Sequence, residues 1–148
     1  MRLGDIGELK SLAIDVGSIF KMTLRPADGV TPKNACDTDR TKYFAVIGVT
    51  ENKAIVASLL INSHINGRLF NIIGPFQHRI SSSDYAFMTK EESYFDCYKI
   101  KELPTDRIVK EGEYVGTVTK EDLGAIMKLA VESPANKQIT LNKYSLIK

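Results

Sequence analysis

Lys42-Tyr-Phe-Ala-Val-Ile-Gly-Val49, then Thr50-Glu-Asn-Lys53, then Ala54-Ile-Val-Ala-Ser-Leu-Leu-Ile61: this stretch holds the longest apolar runs of the chain. Both runs are rich in β-branched and aromatic residues, and four polar residues separate them. That pattern predicts two strands joined as an antiparallel hairpin. Each run is strand-length, far below the ~18 apolar residues of a membrane span, so no membrane partner is expected.

The flanks extend the β pattern. Phe20, Met22 and Leu24 alternate with Lys21 and Thr23, a half-buried strand that Arg25-Pro26 ends. Beyond the hairpin, Phe76 to Ile80 reads as a short strand and Ser81 to Asp84 as a turn. Ser93 to Ile100 and Tyr114 to Val118 read as two further strands. Thr119 is then a good N-cap, with Glu121 and Asp122 at the positive end of a helix. The spacing resembles a capping box with Asp in the Glu place. Leu123, Ile126, Met127 and Ala130 form the apolar face, and Ser133-Pro134 stops the helix. Five or six strands with one solid helix predict a mainly β fold: a small, strongly bent sheet or barrel capped by a C-terminal helix. Residues 1–16, with Ile6, Leu9 and Ala13 at near-helical spacing, are an arm or a short helix. Residues 17–133 form the barrel domain, and 134–148 a tail with a short helical turn around Leu141 and Tyr144.

Composition excludes more than it identifies. The 148 residues are 43% hydrophobic and 26% charged, which excludes a wholly disordered chain. Twenty Lys and Arg against eighteen Asp and Glu give a charge of +2, too even to diagnose a nucleic-acid partner by itself. No GxGxxG, GxxxxGK[ST] or GxSxG motif occurs, and no cofactor is expected. Two histidines and two cysteines lack metal-ligand spacing, so no metal site is expected either. The first fifteen residues lack the basic start and apolar block of a secretory signal. A cytoplasmic protein with Cys36 and Cys97 as free thiols is the first expectation. One disulfide in a secreted protein is the alternative.

Three clusters carry the candidate chemistry. Residues 31–42 hold Lys33, Asn34, Arg40 and Lys42 just before a buried strand, a platform for phosphate or a solvated loop. Asn62-Ser63-His64, with Asn66 and Arg68, follows the strand ending at Ile61. His64 is an acid or base of the right type for neutral pH, and the alternative is a turn bonding its own backbone. Tyr94 to Lys99 contains Cys97, which reads as a small core residue rather than a nucleophile.

Together these segments resemble the PemK/MazF family of toxins, the mRNA interferases of toxin–antitoxin pairs. The resemblance runs through Gly17 to Pro26, Arg40 to Ile47, Leu60 to Asn66, Tyr94 to Ile100, Thr105 to Ile108 and Val115 to Leu123, over residues 17–132. It implies an SH3-like PemK/CcdB-type barrel, a homodimer, single-stranded RNA as substrate and an antitoxin peptide as partner. It also implies a metal-independent endoribonuclease in which a ribose 2′-OH attacks the adjacent phosphate. A basic residue then stabilises the phosphorane and another group takes the proton. On this chain the family's Arg falls on Lys42, with Arg40 two positions earlier, and its usual Pro on Tyr43. Its Thr or Ser falls on Asn62, followed by Ser63, and its Gln on His64. The implied catalytic set is therefore Lys42, Arg40, Asn62, Ser63 and His64. The implied RNA-binding set is Arg25, Lys33, Asn34, Asn66 and Arg68. Lys42 keeps the charge without the bidentate guanidinium, and Asn62 lacks a hydroxyl. Those departures favour the alternative, a catalytically inactive interaction module that binds a protein partner.

Overall fold

A computed structural model describes residues 14–25, 40–65 and 67–147. The hairpin forms as the sequence predicts. Strand β2 (Arg40–Val49) pairs antiparallel with β3 (Ile55–Asn62), with Phe44 opposite Leu60 and Ala45 opposite Leu59. Its turn is held by Asn52, whose Oδ1 accepts from the Ala54 N–H at 3.1 Å and the Thr50 hydroxyl at 2.8 Å. Strand β1 (Ser18–Leu24) adds to β2. Strands β4 (Gln77–Ser81), β5 (Glu92–Asp96), β6 (Lys101–Pro104) and β7 (Glu113–Thr117) complete one seven-stranded sheet. Its order is β4-β5-β3-β2-β1-β7 with β6 paired to β3 off this path, every pairing is antiparallel, and the sheet curls into half a barrel.

The central strands are buried on both faces, which explains why the run 55–61 is apolar but for the buried Ser58 instead of alternating. One face carries Ile19, Ala45, Ile47, Leu59 and Phe95 under the helix α3 (Lys120–Glu132), through Ile126 and Ala130. The C-terminal helix α4 (Gln138–Lys143) adds Leu141, followed by Tyr144. The other face carries Phe20, Met22, Leu24, Phe44, Val46 and Leu60, covered by Ile108 of α2 (Thr105–Glu111) and by Ile14. Two glycines are required by this packing. Gly17 has φ +98°, donates to the Val46 carbonyl at 2.7 Å and accepts from the Val118 N–H at 2.7 Å, so it ties β1 to the chain leaving β7. Gly48 lies where a Cβ would stand 2.8 Å from the Tyr144 Cβ.

Several expectations change. The run from Ser93 is not a strand to Ile100. The Asp96 carboxylate accepts from the Tyr98 N–H at 3.1 Å and from Gln77 Nε2 at 2.8 Å, turning the chain out of the sheet. After four intervening residues the backbone re-enters as β6, which pairs with the first half of β3 while β5 pairs with its last two residues. Asn136 stitches the intervening segment to the tail, accepting from the Ile100 N–H at 2.8 Å and donating to the Ala130 carbonyl at 2.8 Å. The breakers Asn62, Asn66, Gly67, Gly74 and Pro75 make residues 62–75 read as a long loop, but short helical turns fill most of it. Gly67 to Phe76 winds through two 3-10 turns around the single-turn helix α1 (Phe70–Ile73), because the breakers flank Arg-Leu-Phe-Asn-Ile-Ile rather than interrupt it. Helix α2 is also additional: Pro104 precedes it, Arg107 and Glu111 pair at 2.9 Å one turn apart, and Gly112 ends it. The arm expected over residues 1–16 lies outside the described residues as far as residue 13.

Candidate functional site

The antiparallel register gathers charge at one end of the sheet. Leu24 pairs with Arg40, Tyr43 with Ile61, Asn62 with Tyr94, and Tyr94 with Arg79. The end of β1, the start of β2, the end of β3, the start of β5 and the end of β4 therefore share one edge. Four of the five residues in the implied catalytic set, Lys42, Asn62, Ser63 and His64, are described there with their side chains. Arg40 begins β2 beside them, and its side chain lies outside the description.

Lys42 is the unusual member. It sits on the β2 face that also carries Phe44 and Val46, and only 7% of it is exposed. A buried ammonium needs a polar partner, and its Nζ donates to Asn62 Oδ1 across the strand pair. Immediately after the strand, Ser63 and His64 are both exposed, with the serine Oγ 3.3 Å from the imidazole Nδ1. The edge thus presents a fixed cation, an amide, a hydroxyl and an imidazole within three consecutive residues of β3's end and one residue of β2. Arg25, next to the end of β1, and Arg68, in the turn Gly67–Leu69, are exposed. Lys33, Asn34 and Asn66 lie outside the described residues.

On the other face of β2 lies a cleft of about 220 Å³ that the sequence reading did not single out. Tyr43 and Phe87 form its aromatic wall, with ring centroids 4.8 Å apart at 40°, and both rings are partly exposed. Lys42, Ser63, Lys90 and Ser93 also line it. The Lys21 ammonium stands 5.9 Å from the centre of the Tyr43 ring, a cation–π distance.

Phe87 reaches Tyr43 because Tyr85 is anchored. The Tyr85 hydroxyl donates to Asp122 Oδ2 and accepts from the Thr119 N–H at 3.1 Å. Thr119 Oγ1 in turn accepts from the Asp122 N–H at 3.2 Å, the expected N-cap bond. The second half of a capping box is absent: Asp122 turns sideways to Tyr85 and to His78 Nε2, 2.8 Å away, and Tyr85 covers the N-cap N–H instead. Burial on its own would raise the Asp122 pKa, but hydrogen bonds from His78, Tyr85 and Thr119 outweigh it and hold the carboxyl below its ordinary value. Desolvation and Asp122 push the Tyr85 phenol above its ordinary value. His78, half-buried in β4, is therefore a partner of the helix.

Cys97 is a fully buried free thiol. Burial, with Asp96 adding to it, pushes its pKa far above that of an ordinary thiol, which suits a core residue. Among the described residues, no group of three or more His, Cys, Asp and Glu side chains converges to hold a metal ion, and no helix is long and apolar enough to cross a membrane. Comparison with protein-family models finds no match, and none of the curated proteins matches the chain.

Proposed function

We propose that the protein binds single-stranded RNA across the Lys42–Asn62 edge and cleaves it without a metal. In this reading the ribose 2′-OH attacks the neighbouring phosphorus, its proton passes to the His64 imidazole, and the P–O5′ bond breaks as the 5′-oxygen takes a proton from water. The products are a 2′,3′-cyclic phosphate and a 5′-hydroxyl end. Lys42 stabilises the charge on the phosphorane, Asn62 holds the ammonium in place, and Ser63 orients the imidazole. The observation that carries the reading is the Lys42–Asn62 bond: it holds a cation at the sheet edge beside an exposed hydroxyl–imidazole pair. The resemblance to PemK/MazF-like toxins supports the substrate class, and with it a homodimer and an antitoxin partner.

The test is incubation of purified protein with a long single-stranded RNA in EDTA, with fragment ends read by mass spectrometry. Cyclic-phosphate ends that disappear in Lys42→Met and His64→Ala proteins are the expected result. Intact RNA at high protein concentration overturns cleavage, and loss of salt-dependent RNA binding overturns the whole reading.

A second reading, a protein-binding module, is favoured by one observation. Leu69, Phe70 and Ile72, beside the same edge in sequence, are 44%, 54% and 55% exposed, an apolar surface suited to a peptide. Salt separates the two. RNA affinity falls by roughly 0.7 log units per neutralised phosphate for each log unit of salt, whereas apolar docking does not.

A further inference from the structure

We infer that the cleft walled by the packed rings of Tyr43 and Phe87 seats one unpaired nucleobase of the bound strand. The inference rests on the RNA reading above and adds a base subsite to it. Its chemistry points to a planar, uncharged ring on an anionic backbone. The wall is aromatic and partly exposed, and Lys21 already stands over one ring. Ser63 and Ser93 supply hydroxyls for a base edge, Lys42 and Lys90 supply cations for the flanking phosphates, and among the described residues no carboxylate lines the cleft. At about 220 Å³ it is smaller than the roughly 300–1,000 Å³ of a site for a drug-sized ligand, so it suits a single ring system and not a whole nucleotide. Stacking on aromatic side chains is how single strands are held once their bases are unpaired. The subsite is also placed to serve the edge chemistry. Tyr43 follows Lys42 directly in β2, so a base stacked on the ring lies one residue along the strand from the ammonium that Asn62 holds.

The test uses a short single-stranded 2′-fluoro oligonucleotide, which lacks the attacking hydroxyl, either intact or abasic at each position in turn. Binding is followed by fluorescence anisotropy at several salt concentrations. The wild type is expected to lose about tenfold in affinity when one particular base is removed. Phe87→Ala is expected to bind the intact strand about tenfold more weakly and to become indifferent to that abasic position. Phe87→Leu, which keeps most of the packing volume, is expected to fall between them. The salt slope is expected to stay unchanged in both variants, because no charge is removed. Equal binding of intact and abasic strands by the wild type, with a normal salt slope, overturns the base subsite and leaves the RNA reading standing. So does a Phe87→Ala protein that weakens intact and abasic strands alike. No binding of any strand overturns both.

Discussion

Tyr85→Phe removes one oxygen, and the structure says what that oxygen carries. It is the donor to Asp122 Oδ2 and the acceptor of the Thr119 N–H, in a side chain only 4% exposed. A bond to a charged carboxylate is worth about 1.5–3 kcal/mol net and a neutral one about 0.5–1.5 kcal/mol. Asp122 keeps His78, and the Thr119 N–H lies at a helix start where water can reach in part, so the sum is discounted to about 2–3 kcal/mol. For a chain of this size each kcal/mol moves Tm by roughly 2–4 °C, so a fall of about 5–10 °C is expected by circular dichroism. The loss depends on pH. The Asp122 pKa is lowered on folding, so its stabilisation is present above the unfolded carboxylate pKa of about 3.9 and disappears as pH falls through the lower folded value. The Tyr85 pKa is raised on folding, so its share holds below about pH 10 and is lost as pH rises through the folded value. The gap between wild type and Tyr85→Phe is therefore widest near neutrality and narrows in acid. A variant within about 0.5 kcal/mol of wild type at pH 7, or a gap that widens in acid, refutes the anchoring role assigned to this hydroxyl.

Two further outcomes check the packing. Gly48→Ala puts a methyl 2.8 Å from the Tyr144 Cβ, so urea unfolding is expected to show a loss of about 1–3 kcal/mol, the usual cost of overpacking; an unchanged midpoint contradicts the close approach of the tail to β2. Cys97, buried and held as a neutral thiol, is expected to resist iodoacetamide in the native protein and to react once urea unfolds it; rapid native labelling of the Cys97 peptide contradicts its core placement.

The strand pattern was legible where burial imposed it. Phe20, Met22 and Leu24 announce β1, and the apolar runs at 44–49 and 55–61 announce β2 and β3, because their large apolar side chains pack against a core on one face or the other. Thr119 likewise announces its helix, since an N-cap acts locally. What escaped has nonlocal causes. Asp96 ends β5 through a bond to Tyr98, a turn signal set inside a strand-like run. β6 has four residues and ends in proline, and is held by its pairing with β3 more than by its own composition. The partner of Asp122 was misread for the same reason: a capping box is a local rule, and Tyr85, 37 residues away, overrides it.

The candidate site divides along the same line. Lys42, Asn62, Ser63 and His64 stand together because β2 and β3 are neighbours, and a hairpin brings the start of one strand to the end of the next. Tyr43 and Phe87 could not be paired from the sequence, since Phe87 lies in a polar ten-residue connection between β4 and β5 and its position follows from the Tyr85 anchor two residues earlier. This couples the two halves of the proposal physically. Where the PemK/MazF resemblance places a proline, this chain has Tyr43, whose ring gives Phe87 a partner. In the proposed reading, the position that departs from the resembled pattern is thus the one that supplies the aromatic wall. A strand held there by a stacked base needs less from the phosphate contacts. That is consistent with Lys42, a point charge fixed by Asn62, standing where bidentate recognition would otherwise be expected.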